Sequence, residues 1–310
     1  MLKTGIYHLS QIERDTQLND FFGVPKKVSI TLYEQALSHP RSDELMERIL
    51  LYFADERGAY KRTYAKRFET FDRKVLKVLT KEFDVKTRLL IHDVAVSDAR
   101  TSVDFFQKVS RIYSSIYYVA SDYDPKICVI EQGKLKVTLS SGGKILEIVW
   151  PPFVFNTIKR ESYLHYPINH LIRWIVLRLK VQSLMRDFRS GKVKAKEVLL
   201  FSPQALKLAK TDRRFRLDKH DLRQSFESRH HIIRAMNILN PDYFSKEDIR
   251  KIVKNIHYGL KTNGILIVGS NQGANSRVAG GVYKKTKTGF NKILTTGSFP
   301  LEPQLLQFTL

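Results

Sequence analysis

The sequence predicts an α/β protein built on a mostly parallel sheet, with a helical N-terminal region, an inserted β-meander with a helical lid, and a C-terminal antiparallel hairpin. Three stretches carry that expectation. The first is the apolar run 87–96, followed by a short loop of small and polar residues at 97–102 and a helix-like segment from Val103: strand, tight loop, helix. The second is 115–122, a run rich in Ile, Tyr and Val that ends in an acid. The third is the apolar run 230–237, an amphipathic stretch 245–259, a turn at Asn263-Gly264 and another apolar strand. Strand, helix and strand in that order form a βαβ unit, and such units pair their strands in parallel.

The remaining elements follow along the chain. Residues 1–86 read as helical and mostly basic, with apolar residues at helical spacing over 42–53 after a capping Ser42 and a second helix over 64–83. Residues 127–196 read as an insertion into the parallel pattern. Its first part, 127–149, alternates in polarity with turn signals at Gln132-Gly133 and Ser141-Gly142-Gly143, which predicts an antiparallel meander. Trp150-Pro151-Pro152 ends the meander, and a helix follows over 168–188 in which Arg173, Arg178, Lys180 and Arg186 stand among Leu, Ile, Val and Trp174. Two readings of this helix stand open: it lies on an acidic membrane surface, or it is a buried lid helix with its cations at the rim. The parallel pattern resumes with a helix from Pro203 and a strand over 215–221; residues 277–285 and 291–296 read as a hairpin at the sheet edge, and 301–310 as a tail.

Composition narrows the classes of partner. At 43% hydrophobic and 27% charged residues the chain has the makings of a full core, and 53 Lys and Arg against 31 Asp and Glu give a net charge of +22. An excess of that size attracts anions: an acidic lipid surface, nucleic acid or an anionic acceptor. The one cysteine, Cys128, excludes an internal disulfide and any multi-cysteine metal site. His92, His220, His230 and His231 lack the helical or paired spacing of metal ligands, so no metal is expected. No apolar run approaches the roughly 20 residues that span a bilayer. The expected location is cytoplasmic, with attachment at a membrane surface as its variant.

Taken end to end, residues 87–300 resemble a class I S-adenosylmethionine-dependent methyltransferase with the segment 127–196 inserted, which implies a Rossmann-like sheet. The stretches 237–244 and 260–269 are locally similar to chemotaxis-receptor methyltransferases. The resemblance implies S-adenosylmethionine as cofactor, held by the loop after the first strand, here Asp93, Ala95, Ser97, Asp98 and Ala99. It implies that Asp122, at the end of the second strand, receives the ribose hydroxyls, that Asp221, after the third, holds the adenine side, and that Asn237, after the fourth, faces the transferred methyl group or its acceptor. The chain departs from the family where glycines are usual, since Ala95 and Ala99 stand there. Alanine disfavours positive φ, so either the loop keeps to ordinary backbone regions or the cofactor sits differently.

Each of these residues also has a plainer reading. Ser97 or Asp98 can cap the following helix, Asp122 and Asp124 can shape a turn, and Asp221 can be a solvated strand-end acid. The expected function is methyl transfer to an unidentified acceptor. Its rivals are a catalytically degenerate interaction module and a basic protein that binds nucleic acid or a membrane surface.

Overall fold

The computed structural model describes residues 2–12, 27–61, 63–64, 66–158, 164–241, 243–272 and 277–309. Along the chain run β1 (Gly5–Ile6), β2 (Lys27–Val28), α1 (Tyr33–Leu37), α2 (Ser42–Tyr52), α3 (Glu69–Glu82), β3 (Leu89–Val94), α4 (Arg100–Ser110) and β4 (Ile116–Asp122). Then come β5 (Lys126–Gln132), β6 (Leu135–Ser140), β7 (Ile145–Trp150), β8 (Phe153–Asn156), α5 (Pro167–Val176), α6 (Gln182–Arg189) and β9 (Lys196–Leu199). The chain closes with α7 (Pro203–Thr211), β10 (Phe215–Lys219), β11 (His230–Met236), α8 (Lys246–Gly259), β12 (Leu260–Gln272), β13 (Arg277–Lys285), β14 (Phe290–Thr296) and α9 (Glu302–Leu306). They form two compact units, one of residues 1–62 with 126–200 and one of 63–125 with 201–310. The expected helical region 1–86 is thus divided: α3 belongs with the parallel sheet, and the residues before it with the insertion. Ser42 is the first residue of α2 and not its cap.

The second unit is a Rossmann-like α/β fold. Its seven strands lie in the order β10-β4-β3-β11-β12-β13-β14. The first five are parallel, and β13 runs antiparallel to both its neighbours. One sheet face is covered by α3, α4 and α7. Phe71, Val75 and Leu79 from α3 and Val103, Phe106 and Val109 from α4 recur at helical spacing and are buried with Ile91, Tyr118 and Ile232 of the sheet. The other face holds α8, whose Ile249, Ile252, Val253 and Ile256 pack on Ile233, Leu266 and Val268. Ser245 caps α8, its Oγ accepting the Asp248 amide at 3.1 Å. The turn expected at Asn263-Gly264 lies inside β12 instead: Asn263 adopts φ of 60° and the register with β11 slips between His230 and Ile232. A Cβ at Gly264 would stand 2.8 Å from the Lys261 carbonyl oxygen, so this bulge requires glycine.

The first unit holds the antiparallel sheet β8-β7-β6-β5-β9 and the small parallel pair β1-β2. Glu147, wholly buried on β7, accepts the Ser29 hydroxyl at 2.6 Å and the Ile30 amide at 3.2 Å, and burial pushes its carboxyl up to about 7. Helices α5 and α6 join through one π-turn, Leu177–Val181. Val176, Val181 and Leu184 pack on Val137 and Ile148 of the sheet, so one face of this helix is core while the opposite face stays exposed.

Candidate functional site

In sheet order, the carboxyl ends of β10, β4, β3, β11 and β12 lead to Asp221, Asp122, the loop 95–99, Asn237 and Asn271. Parallel strands put all these ends on one edge, where α/β sheets form their binding crevices.

The loop after β3 has an unusual backbone. Ala95, Ser97 and Ala99 adopt φ of 56°, 58° and 61°. Of the two alternatives the alanines left open, the loop does not keep to ordinary backbone regions: it takes up the left-handed conformation glycine favours, at a cost of roughly 1–2 kcal/mol per residue with a Cβ. The surroundings hold it there. The Val96 amide donates to the Ser121 carbonyl at 3.1 Å, the Ser97 amide to Oδ2 of Asp122 at 2.8 Å, and the Ser202 amide to the Asp98 carbonyl at 2.8 Å. Asp98 and Arg100, both fully buried, pair at 3.3 Å, and Oδ1 of Asp98 accepts the Arg100 amide at 3.1 Å. Ala99 occupies the cap position of α4 without a side-chain bond.

Asp122 closes the adjacent strand. Besides the Ser97 amide it accepts the Asp124 amide at Oδ1, 3.1 Å, so it shapes its own turn and ties that turn to the loop. Its carbonyl accepts the His220 amide at 3.0 Å, which brings the chain after β10 alongside. Asp221 there holds Arg223 through Nη2 at 3.0 Å and Nε at 3.3 Å, and the ion pair pushes the guanidinium up.

Asp93 is placed differently from the other loop residues. Its Oδ2 accepts Ser102 Oγ and the Tyr118 hydroxyl, each at 2.7 Å, and Nη1 of Arg234 at 2.8 Å. Arg234, fully buried, also meets Asp72 at 3.3 Å and lies 4.9 Å above the Phe105 ring. Burial raises the Asp72 carboxyl and drives the Tyr118 hydroxyl well above its usual range. This network lies in the helix–sheet layer, and it holds β3, β4 and β11 in register behind the loop.

At the other side of the edge, Asn237 adopts φ of 57° and its amide donates to the Gly269 carbonyl at 2.7 Å. Its side chain exchanges two bonds with Asn271: the Asn271 amide donates to Oδ1 of Asn237 at 2.8 Å, and Nδ2 of Asn237 donates to Oδ1 of Asn271 at 3.0 Å. Nε of Arg67 donates to the same Oδ1 at 2.6 Å. Nδ2 of Asn271 is buried and has no hydrogen-bond partner among the described residues. Sequence reasoning missed Asn271 and Arg67. A signal for the first exists, since Asn271 follows the apolar run 265–268 much as Asn237 follows 230–236; none exists for Arg67, which stands in a basic run. Asp242, beside Tyr243 in the stretch similar to chemotaxis-receptor methyltransferases, lies outside the described residues.

Three histidines cluster beneath this edge, His92 and His230 buried and His220 partly so. The His92 ring lies 4.9 Å from that of His230 and 5.2 Å from that of His220, and its Nε2 meets Ser121 Oγ at 2.8 Å. Burial lowers all three imidazoles, His92 well below its usual range and His230 to about 4. Among the described residues no group of three or more His, Cys, Asp or Glu is disposed to hold a metal ion.

No family model and no curated protein matches the chain. Among solved structures it is similar to the CMeT domain of citrinin polyketide synthase, at 13% identity over 76% of this chain and 41% of that one, with a TM-score of 0.34. It is also similar to the glycopeptide N-methyltransferase MtfA, at 11% identity over 74% and 61% with a TM-score of 0.31. A third is magnesium protoporphyrin IX methyltransferase from Synechocystis PCC 6803 with bound SAH, at 9% identity over 66% and 55% with a TM-score of 0.32. The chain thus spans 41–61% of the length of these structures. The likeness is partial.

Proposed function

We propose that the second unit binds S-adenosylmethionine and transfers its methyl group to an acceptor. The observation that carries this reading is the left-handed backbone at Ala95, Ser97 and Ala99, tied through the Ser97 amide to Asp122. Strain held by surrounding hydrogen bonds at the carboxyl end of a central strand is characteristic of ligand sites. The unpartnered Nδ2 of Asn271 also supports the fit, because a buried donor left unmade costs about 1–3 kcal/mol and a ligand acceptor would remove that cost.

When bound, S-adenosylmethionine would supply a methyl group activated by its sulfonium, with S-adenosylhomocysteine as the thioether leaving group. The chain's own residues bind and orient. The backbone of 95–99 would hold the methionine part, Asp122 would receive the ribose hydroxyls through a carboxylate whose two oxygens match a diol, and Asp221 would serve the adenine side. Asn237 and Asn271, locked to each other and to Arg67, hold the acceptor at a fixed angle, and alignment of this kind supplies most of the acceleration such a reaction needs. The net charge of +22 supports an anionic acceptor.

Calorimetric titration with S-adenosylmethionine and S-adenosylhomocysteine tests this. Micromolar binding is expected, weakened at least tenfold by Asp122→Asn, with the variant's fold checked by circular dichroism. Absence of binding to the unaltered chain would sink the enzyme reading in favour of an interaction module.

A further inference from the structure

The exposed face of the α5–α6 helix carries a run of large apolar side chains in water. Ile168, Leu171, Ile175 and Leu179 follow one another at steps of three and four residues, which aligns them as a ridge. Leu171 is 57% exposed, Leu179 68%, and Trp174 beside them 56%. The opposite face, with Val176, Val181 and Leu184, is already buried in the first unit's own core, so the ridge is not a core stripe turned outward. Contiguous apolar side chains in water mark a surface that is covered by something else.

Charge identifies what covers it. From 164 to 189 the cations are Arg173, Arg178, Lys180, Arg186 and Arg189, and the sole acid is Asp187. Arg178 lies 5.7 Å from the centre of the Trp174 ring, a cation stacked on an indole at the ridge's margin. We propose that this ridge seats on the surface of an anionic lipid bilayer, its aliphatic side chains and Trp174 in the acyl boundary and its cations among the headgroup phosphates. No helix of the described residues is long and apolar enough to cross a membrane, so the mode is adsorption in the interface plane.

Other occupants match the chemistry less well. A second copy paired ridge to ridge would bring Arg178 and Lys180 against the same cations. A nucleic acid would meet phosphate partners here, but the aliphatic Leu171, Ile175 and Leu179 offer its bases no stacking plane, and the one indole, Trp174, already has Arg178 over its ring.

The test is co-sedimentation of the full chain with vesicles of phosphatidylcholine alone and of phosphatidylcholine with about one-third phosphatidylserine. Binding is expected only to the anionic vesicles, and it should weaken as salt rises. The double variant L171S/L179S should lose binding by about tenfold per side chain, and R178A/K180A by about fivefold per charge. Both sets of residues are exposed or lie outside the core, so an unchanged melting temperature verifies the fold. The proposal is overturned if anionic vesicles leave the chain in solution, or if L171S/L179S binds them as well as the unaltered chain does. It is also overturned if the ridge serves another partner, shown either by a dimer in sedimentation velocity or by a gel shift with duplex RNA that the double variant abolishes. Neither S-adenosylmethionine binding nor its loss bears on these outcomes.

Discussion

At the residue scale, the informative positions are those where local preference is overruled. Ala95, Ser97 and Ala99 hold a backbone that their Cβ atoms oppose, and Glu147 holds a carboxyl where burial opposes its charge. For Glu147 the consequence is measurable. Its folded value of about 7 lies above the ordinary 4.5, so between those pH values the folded chain binds the proton that the unfolded chain has released. Its contribution to stability is therefore fully present below about pH 4.5 and is lost as pH rises through 7, by an amount on the order of 3 kcal/mol. The buried neutral histidines His92 and His230 act in the opposite sense over the acid part of that range, because their folded values are depressed and charging them favours unfolding. Denaturant unfolding across pH should thus show a difference between the unaltered chain and Glu147→Gln that grows from pH 5 to pH 7 in favour of the variant; parallel profiles would refute the assignment.

At the element scale, α8 shows how cap and packing divide the work. Its apolar residues recur at steps of three and four, so its existence was legible in the sequence, and so was its start at Ser245. Ser245→Ala removes one bond at an exposed end and should cost about 1 kcal/mol. Ile256→Ala opens a void in a fully buried position between helix and sheet and should cost about 2–5 kcal/mol. Urea unfolding of the two variants checks the ranking, and a larger loss from the cap would mean that α8 is held by its ends and not by its face. The strands β3, β4 and β11 and the meander β5-β6-β7 were legible for the same reason. The bulge at Asn263 was not, because Asn-Gly also spells a turn, and only pairing with β11 decides between the two.

At the scale of the whole molecule, the two units have separate cores, and domains with their own cores unfold as their own transitions. Scanning calorimetry should accordingly resolve more than one transition. S-adenosylmethionine at about 100 times its dissociation constant should stabilise the second unit by about 2.7 kcal/mol, whereas Glu147→Gln should move the transition of the first alone. A single cooperative transition that both perturbations shift equally would contradict that division.

What the sequence by itself determined is the parallel strands β3, β4 and β11, the meander β5-β6-β7, the helices α2, α3, α4 and α8 and the closing hairpin, because periodicity and capping act within a few residues of each other; the short strands β1, β2, β8 and β9 and the helix α9 carry no such local pattern. It also marked Asp122, Asp221 and Asn237 as strand-end residues, since the apolar run before each shows where the strand stops. Only the tertiary structure decided which elements share a core: residues 1–62 lie with 126–200, and α3 with the sheet, through contacts far apart in the chain. It likewise decided that Asp93 belongs to an internal network with Arg234, that Asn271 and Arg67 meet Asn237, and that the alanines of the loop are held left-handed. Each of these depends on a partner at least 25 residues away, and no local pattern carries the position of such a partner.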